Sequence, residues 1–257
     1  GVVRHIVRLL DLQIGISQSY LMNLSDLDVL ILCGGQGTRL RGVLPEGTPK
    51  CMADINGKPF LHILVDELRG IGINQEDQTK FGDFSRFIFL TGYGADVIES
   101  LLETTYRFGM HGCRWWEFSR EKEPLGTGGA VAAAQIKSDL FFVINADTYC
   151  ELDYADILRS HVETGFDATV PYDVQYRNVG AYLLTKRAVA VAASELGPKW
   201  DLDEAFKIWP KKKILVNWYP TDVKYWDIGA PESLESFRRF WAGRKRNRNN
   251  VAAELQR

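Results

Sequence analysis

"ILCGGQGTRL" (Ile31–Leu40) ends an apolar run that begins at Asp28, and follows it at once with three glycines, a hydroxyl, a cation and a leucine. The run "DVLILCGG" has the length and unbroken apolar character of a strand buried on both faces. Gly34, Gly35 and Gly37 permit positive φ and let backbone N–H groups close on an anion. Arg39 and Arg41 add charge, and the planar fork of Arg39 suits phosphate oxygens. Lys50, in "TPK", supplies a further cation. A buried strand breaking into such a loop fits an open α/β sheet, whose ligands lie beyond the carboxyl ends of the strands. Taken alone, the string also fits a glycine turn with surface arginines.

Outward from this loop, strand and helix patterns alternate. "KPFLHILVDELRGIG" predicts a helix, with Phe60, Leu61, Leu64, Val65 and Leu68 at helical spacing and Gly70 past its end. "RFIFLTGYG" reads as a strand, "ADVIESLLETTYRFG" as a helix, "CRWWEFSRE" as a short strand and "TGGAVAAAQIK" as a helix of small residues. "LFFVINADT" is a very apolar strand that delivers Asp147, "YADILRSHVETG" a helix, and "DATVPYDV" and "VGAYLLTK" two more strands. The alternation predicts an α/β fold with a mostly parallel sheet covered by helices on both faces.

At 257 residues the chain can bury a large core, and its net charge of −2 gives no reason to expect nucleic acid or membrane as a partner. No apolar run reaches the roughly 20 residues of a membrane helix. Cys33, Cys51, Cys113 and Cys150 form no CxxC pair, which fits a reducing, cytoplasmic setting. Residues 1–27 read as a helical extension or linker, with Val3, Ile6, Val7 and Leu10 on one stripe. The basic "RKRNRNN" places residues 244–257 in a solvated tail, leaving 28–243 as the main domain. His5, His62, His111 and His161 share no metal-ligand spacing. The tryptophans at 115, 116, 218, 226 and 241 are expected in the core or an interface rather than as a stacking platform.

Two standard nucleotide motifs are absent. The loop lacks the third glycine of G-x-G-x-x-G, and the chain has no G-x-x-x-x-G-K-[ST] string. Two aspartates have the setting of Mg²⁺ ligands: Asp147 in "INADTY" and Asp227 in "YWDIGAPES". Each also fits a turn or helix cap. "EPLGTGGA" (Glu123–Ala130) is a second glycine loop opening a helix; Thr127 can cap it, and its glycines permit a flat backbone against a purine.

"GGQGTRL" with Pro49-Lys50 resembles the signature of the sugar-1-phosphate nucleotidyltransferases, and "MADINGKPFL" and "EKEPLGTGGA" are most similar to the heptose-1-phosphate guanylyltransferases. The resemblance spans roughly Val29 to Phe237. It implies a Rossmann-like three-layer α/β/α nucleotidyltransferase fold with a mixed, mostly parallel sheet. It also implies transfer of a nucleoside monophosphate from an NTP, GTP favoured, to a sugar 1-phosphate, with release of pyrophosphate. It assigns catalysis to Arg39, Lys50, Asp147 and Asp227, with Mg²⁺ on the two aspartates. Leu32, Gly34, Gly35, Gly37, Thr38, Gly126, Thr127 and Gly128 fall to the nucleotide, and Asn178, Gly180 and Glu121 to the sugar. CTP or UTP with another sugar phosphate is the rival reading; a non-catalytic sugar-nucleotide sensor is a third. Homo-oligomerisation stays open.

The chain departs from the family pattern between Asp147 and Asn178. A β-hairpin with a Glu-Lys pair belongs there, and "DATVPYDVQYRNVG" passes directly from one strand to the next. Ala146 stands where glycine is usual, Cys51 follows Pro49-Lys50 in place of a proline, and Asn74–Ser85 is a polar insertion expected on the surface.

Overall fold

The computed structural model describes residues 22–70, 84–106 and 115–255. The expected N-terminal helix, nearly all of the polar insertion, His5, His111 and Cys113 lie outside the described residues. β1 (Asp28–Leu32) pairs in parallel with β2 (Arg86–Thr91) on one side and β4 (Leu140–Asn145) on the other, and β2 pairs in parallel with β3 (Trp115–Arg120). Beyond β4 lie β7 (Ala181–Thr185), β6 (Ala168–Tyr172) and β8 (Val216–Pro220), giving the order β3-β2-β1-β4-β7-β6-β8. Only β7 runs against the rest, so the sheet is mixed and mostly parallel, as expected. β5 (Thr148–Cys150) and β9 (Tyr225–Asp227) form a separate antiparallel ribbon.

Successive strand residues point to opposite faces. Val29 and Ile31 of β1, with Phe142 and Ile144 of β4, join a core closed by α1 (Phe60–Leu68), α2 (Ala95–Tyr106), α4 (Tyr154–Thr164) and α7 (Pro231–Leu255). Leu30, Phe141 and Val143 join the opposite core under α3 (Gly126–Ala133), α5 (Lys186–Leu196) and α6 (Leu202–Ile208). This is the three-layer arrangement the alternation predicts. Asp28 is fully buried at the foot of β1, where it accepts hydrogen bonds from the Lys137 and Ser138 amides (2.7 and 2.9 Å) and pairs with Arg86 (2.8 Å). Among the described residues no helix is long and apolar enough to cross a membrane.

α7 continues as helix through the basic segment. Its Arg244 turns inward, 18% exposed, and binds Glu67 (3.1 Å), Glu151 and the Tyr149 hydroxyl. Glu67 and Tyr149 are themselves buried, so the guanidinium ties α7 to α1 and to the β5 strand that follows Asp147. Removing one partner of a buried ion pair strands the other. Arg244→Ala is therefore expected to lower stability by roughly 3 kcal/mol, measured as a shift of the urea midpoint.

His161, on α4, is buried against the Thr169 hydroxyl (2.9 Å), and burial lowers its pKa below the ordinary histidine value. The unfolded chain protonates first, so stability falls as the pH drops below about 6.5. His161→Gln should flatten the unfolding-midpoint profile in that window.

Candidate active site

The carboxyl ends of β1, β2 and β4 open into a cleft of about 620 Å³. Leu32, Gly34, Gly35, Lys50, Glu121, Gly126, Thr127 and Asp147 line it, so the two glycine loops, the lysine and the first aspartate converge.

The first loop uses its glycines differently from one another. Only Gly37 takes the left-handed conformation (φ 60°), where it starts a short 3₁₀ turn over Thr38–Leu40. That turn buries Leu40 and leaves Thr38 and Arg39 exposed. Gly34 leaves room for Glu121: a Cβ there would lie 2.5 Å from Glu121 Oε1 and displace that carboxylate. Gly35 lies against the stem of Lys50. The chain then turns at Pro49 into a second 3₁₀ turn, Lys50–Met52, which buries Cys51 and sends Lys50 into the cleft. Cys33 and Cys51, both buried, also touch the cleft, and burial pushes the Cys33 thiol well above its usual range, keeping it protonated.

The two aspartates are joined through the backbone. Thr148 pairs with Asp227 across the β5–β9 ribbon, and the Ile228 N–H donates to the Asp147 carbonyl (2.9 Å). Each carboxylate faces a cation. Lys50 Nζ binds Asp147 Oδ2, and Arg39 lies 3.8 Å from Asp227 Oδ2, whose partner oxygen accepts the Gly229 N–H (2.6 Å). Arg39, Thr38, Gly37 and Asp227 thus stand at the rim rather than in the lining. Among the described residues no three His, Cys, Asp or Glu side chains gather into a ready-made metal site. Two hard carboxylates on one rigid ribbon do fit Mg²⁺, which takes one or two of them plus substrate phosphate and water. The methyl of Ala146 is 2% exposed and packs into the core.

The second loop is held from behind. Trp200 receives the N–H groups of Gly128 and Gly129 on its carbonyl (2.9 and 3.0 Å), and a Cβ on Gly128 would overlap the Trp200 ring. Gly128 is therefore a packing glycine, its amide already used, and it lies outside the cleft lining. Gly126 does face the cleft, at φ 75°. Thr127 does not cap its own helix: its N–H donates to Asp201 Oδ1 (2.8 Å), and its hydroxyl accepts from the Leu202 N–H (2.9 Å). Asp201 also starts α6 in a capping box with Glu204. The string "DLDE" carries that signal in the sequence, but its reach to Thr127 does not show there.

Glu121, expected at the sugar, lines the cleft between the two glycine loops. Oε2 accepts the Leu125 N–H (2.8 Å) and Oε1 lies between Gly34 and Gly92. Asn178 and Gly180 lie outside the cleft lining. The Asn178 amide group is spent on the backbone: Oδ1 accepts the Gly180 N–H (2.7 Å), and the NH₂ reaches the Pro171 and Ala181 carbonyls (3.4 and 3.3 Å). Gly180, at φ 81°, presses on the Thr148 side chain. These two shape the β6–β7 junction. Of the tryptophans, Trp241 is core, Trp226 stacks on Phe240 (3.9 Å between centroids), and Trp218 is half-exposed.

Comparison with known proteins agrees with this fold. The family described as "MobA-like NTP transferase domain" matches residues 29–201. A D-glycero-alpha-D-manno-heptose 1-phosphate guanylyltransferase from Campylobacter jejuni is 33% identical over 238 residues, covering 82% of this chain and 98% of that protein. One from Aneurinibacillus thermoaerophilus is 36% identical over 146 residues, which span only 56% of either chain. Among solved structures, HddC from Yersinia pseudotuberculosis superimposes with a TM-score of 0.65 at 29% identity, over 84% of this chain and 99% of that one, and has also been solved complexed with GMP-PN.

Proposed function

We propose a reaction for this chain, which belongs to the MobA-like NTP transferase family: it transfers a guanylyl group from GTP to a sugar 1-phosphate, heptose 1-phosphate first among these, and releases pyrophosphate. The observation that carries the choice of base is Glu121. A carboxylate only accepts hydrogen bonds. The Watson–Crick edge of guanine offers it two neighbouring N–H donors, N1–H and the N2 amino group. Uracil offers one N–H between two carbonyls, and cytosine and adenine an amino group beside an acceptor nitrogen. A carboxylate in the lining of the cleft, with lone pairs left over from the Leu125 N–H, suits guanine better than the other edges.

The remaining groups suit the phosphates. Lys50 and the N–H groups of the first glycine loop receive the β- and γ-phosphates, with Arg39 closing from the rim. The sugar phosphate is already an anionic nucleophile and needs no general base. Its oxygen forms the new bond to the α-phosphorus in line, the bond to the bridging oxygen breaks, and pyrophosphate leaves with that electron pair. Asp147 and Asp227 would hold Mg²⁺, which supplies neutralisation of phosphate charge when bound. We place the reaction in the cytoplasm, with the product a nucleotide-activated sugar for surface polysaccharide.

The test is pyrophosphate release with Mg²⁺ over four NTPs crossed with several sugar 1-phosphates. Release that requires GTP and one sugar phosphate supports the reading. A preference for UTP or CTP overturns the role of Glu121. Silence across the grid, with NTP binding retained in a thermal-shift assay, points to a sensor.

A further inference from the structure

The transferase reading leaves the acceptor's sugar without a partner, because the Asn178 amide is consumed by backbone groups. In-line displacement puts the nucleophile opposite the leaving pyrophosphate. With pyrophosphate toward the first glycine loop and Lys50, the sugar must approach from the β9 side. β4, β6 and β8 run in the same direction, so the loops after β6 and β8 meet at the edge of the sheet where Asp147 lies. Between those loops and β9 is a groove of about 340 Å³, lined in part by Asp173, Arg177, Thr221, Lys224, Tyr225 and Trp226. We propose that this groove receives the sugar ring of the acceptor, and that Arg177 and Tyr225 are the residues that read it; the proposal rests on the transferase reading.

Tyr225 and Asp227 are alternate residues of β9, so their side chains share a face about 7 Å apart along the strand. A ring attached to a phosphate at Asp227 therefore comes to lie beside Tyr225. The Arg177 guanidinium stands 5.4 Å from the centroid of the Tyr225 ring. Asp173, buried, fixes it: Oδ2 accepts from Arg177 Nε (2.9 Å) and Nη2 (2.6 Å), and Oδ1 accepts the Gln175 and Arg177 amides (both 2.9 Å). These bonds hold the Asp173 carboxyl down at about 2, so the anchor is charged throughout the neutral range. The Nη1 end of Arg177 points away from the carboxylate, and the side chain is 58% exposed. The turn is also held in a costly shape, with Tyr176 at φ 60° and its ring stacked on Tyr172 (5.7 Å). The guanidinium lies over the Tyr225 ring, so the ring backs the cation while the groove is open to its free N–H groups, and a fixed planar donor of this kind suits the hydroxyls of a polyhydroxylated ring.

Steady-state kinetics on the GTP and sugar 1-phosphate pair that the pyrophosphate-release grid identifies test this with Arg177→Ala, Arg177→Lys and, as a control on the solvent side of the same turn, Gln175→Ala. Arg177→Ala is expected to raise KM for the sugar phosphate about ten- to a hundredfold, the worth of a charged hydrogen bond. KM for GTP should stay within about twofold. Arg177→Lys should fall between, and Gln175→Ala should match the parent. An unchanged KM for the sugar phosphate overturns the groove and leaves the transferase standing. KM values for both substrates rising together with a lower melting temperature make Arg177 structural and also overturn it. A parent protein silent with every pair removes the transferase reading, and the groove with it.

Discussion

Asp147→Asn is expected to cut turnover by about a thousandfold or more while leaving the protein folded. The substitution keeps the shape and one carbonyl oxygen but removes the charge. That charge has two uses in the proposed cycle. In the structure described here it neutralises Lys50, and in the loaded site it would hold Mg²⁺ as Lys50 turns to phosphate. Neither use is available to an amide. Stability should change little, because Lys50 is 23% exposed and can regain water at its ammonium once its partner is neutral. The β5–β9 ribbon is held through the Asp147 backbone carbonyl, which the substitution leaves in place. The checks are pyrophosphate release and thermal unfolding on the same sample. Wild-type turnover in this variant would remove Asp147 from the catalytic centre. Lost turnover with a collapsed melting transition would make it a folding residue.

The alternation of strand and helix and the position of the cleft are legible in the sequence because they follow from local patterns, whereas the order of the strands in the sheet and the strands β8 and β9 are not. Continuous apolar runs at Asp28–Leu32 and Leu140–Asn145 fix the central strands, and the glycines after the first fix where the chain opens. Lys50 and Asp147 meet although 97 residues separate them: Asp147 follows β4, which the apolar run reveals, but Lys50 is brought back to the cleft by the 3₁₀ turn after Pro49, which no local pattern announces. What is not legible depends on contacts between distant segments. Gly128 resembles a ligand glycine in "GTGGA", and nothing local shows that Trp200 fills the space behind it. Arg244 reads as the start of a basic tail, yet Glu67 and Glu151, far away in the chain, draw it into the core. Asn178 has the residue type of a sugar contact, but three backbone groups already occupy it. The short passage from β6 to β7 is visible in the sequence as a missing hairpin; that its Asp173–Arg177 turn stands against Tyr225 is visible only in the fold.

Glu121→Gln is expected to move the preference among nucleotides rather than simply weaken the site. Glutamine keeps an oxygen that can accept the Leu125 N–H, so the second glycine loop should hold its shape. Toward the base, however, it presents one acceptor and one donor where glutamate presents two acceptors. Guanine would lose a charge-assisted hydrogen bond and face an N–H against an N–H. A site built around a hydrogen bond discriminates strongly against the partner that cannot complete it. We expect kcat/KM for GTP to fall by about a hundredfold. Uracil has an N–H beside a carbonyl, which matches the glutamine amide, so kcat/KM for UTP should rise by about tenfold. The opposite movement of two substrates on one substitution is the informative result, since damage to the loop would lower both. If GTP and UTP decline in parallel, Glu121 acts only by holding Leu125, and the base must be read by the backbone around Gly126 instead.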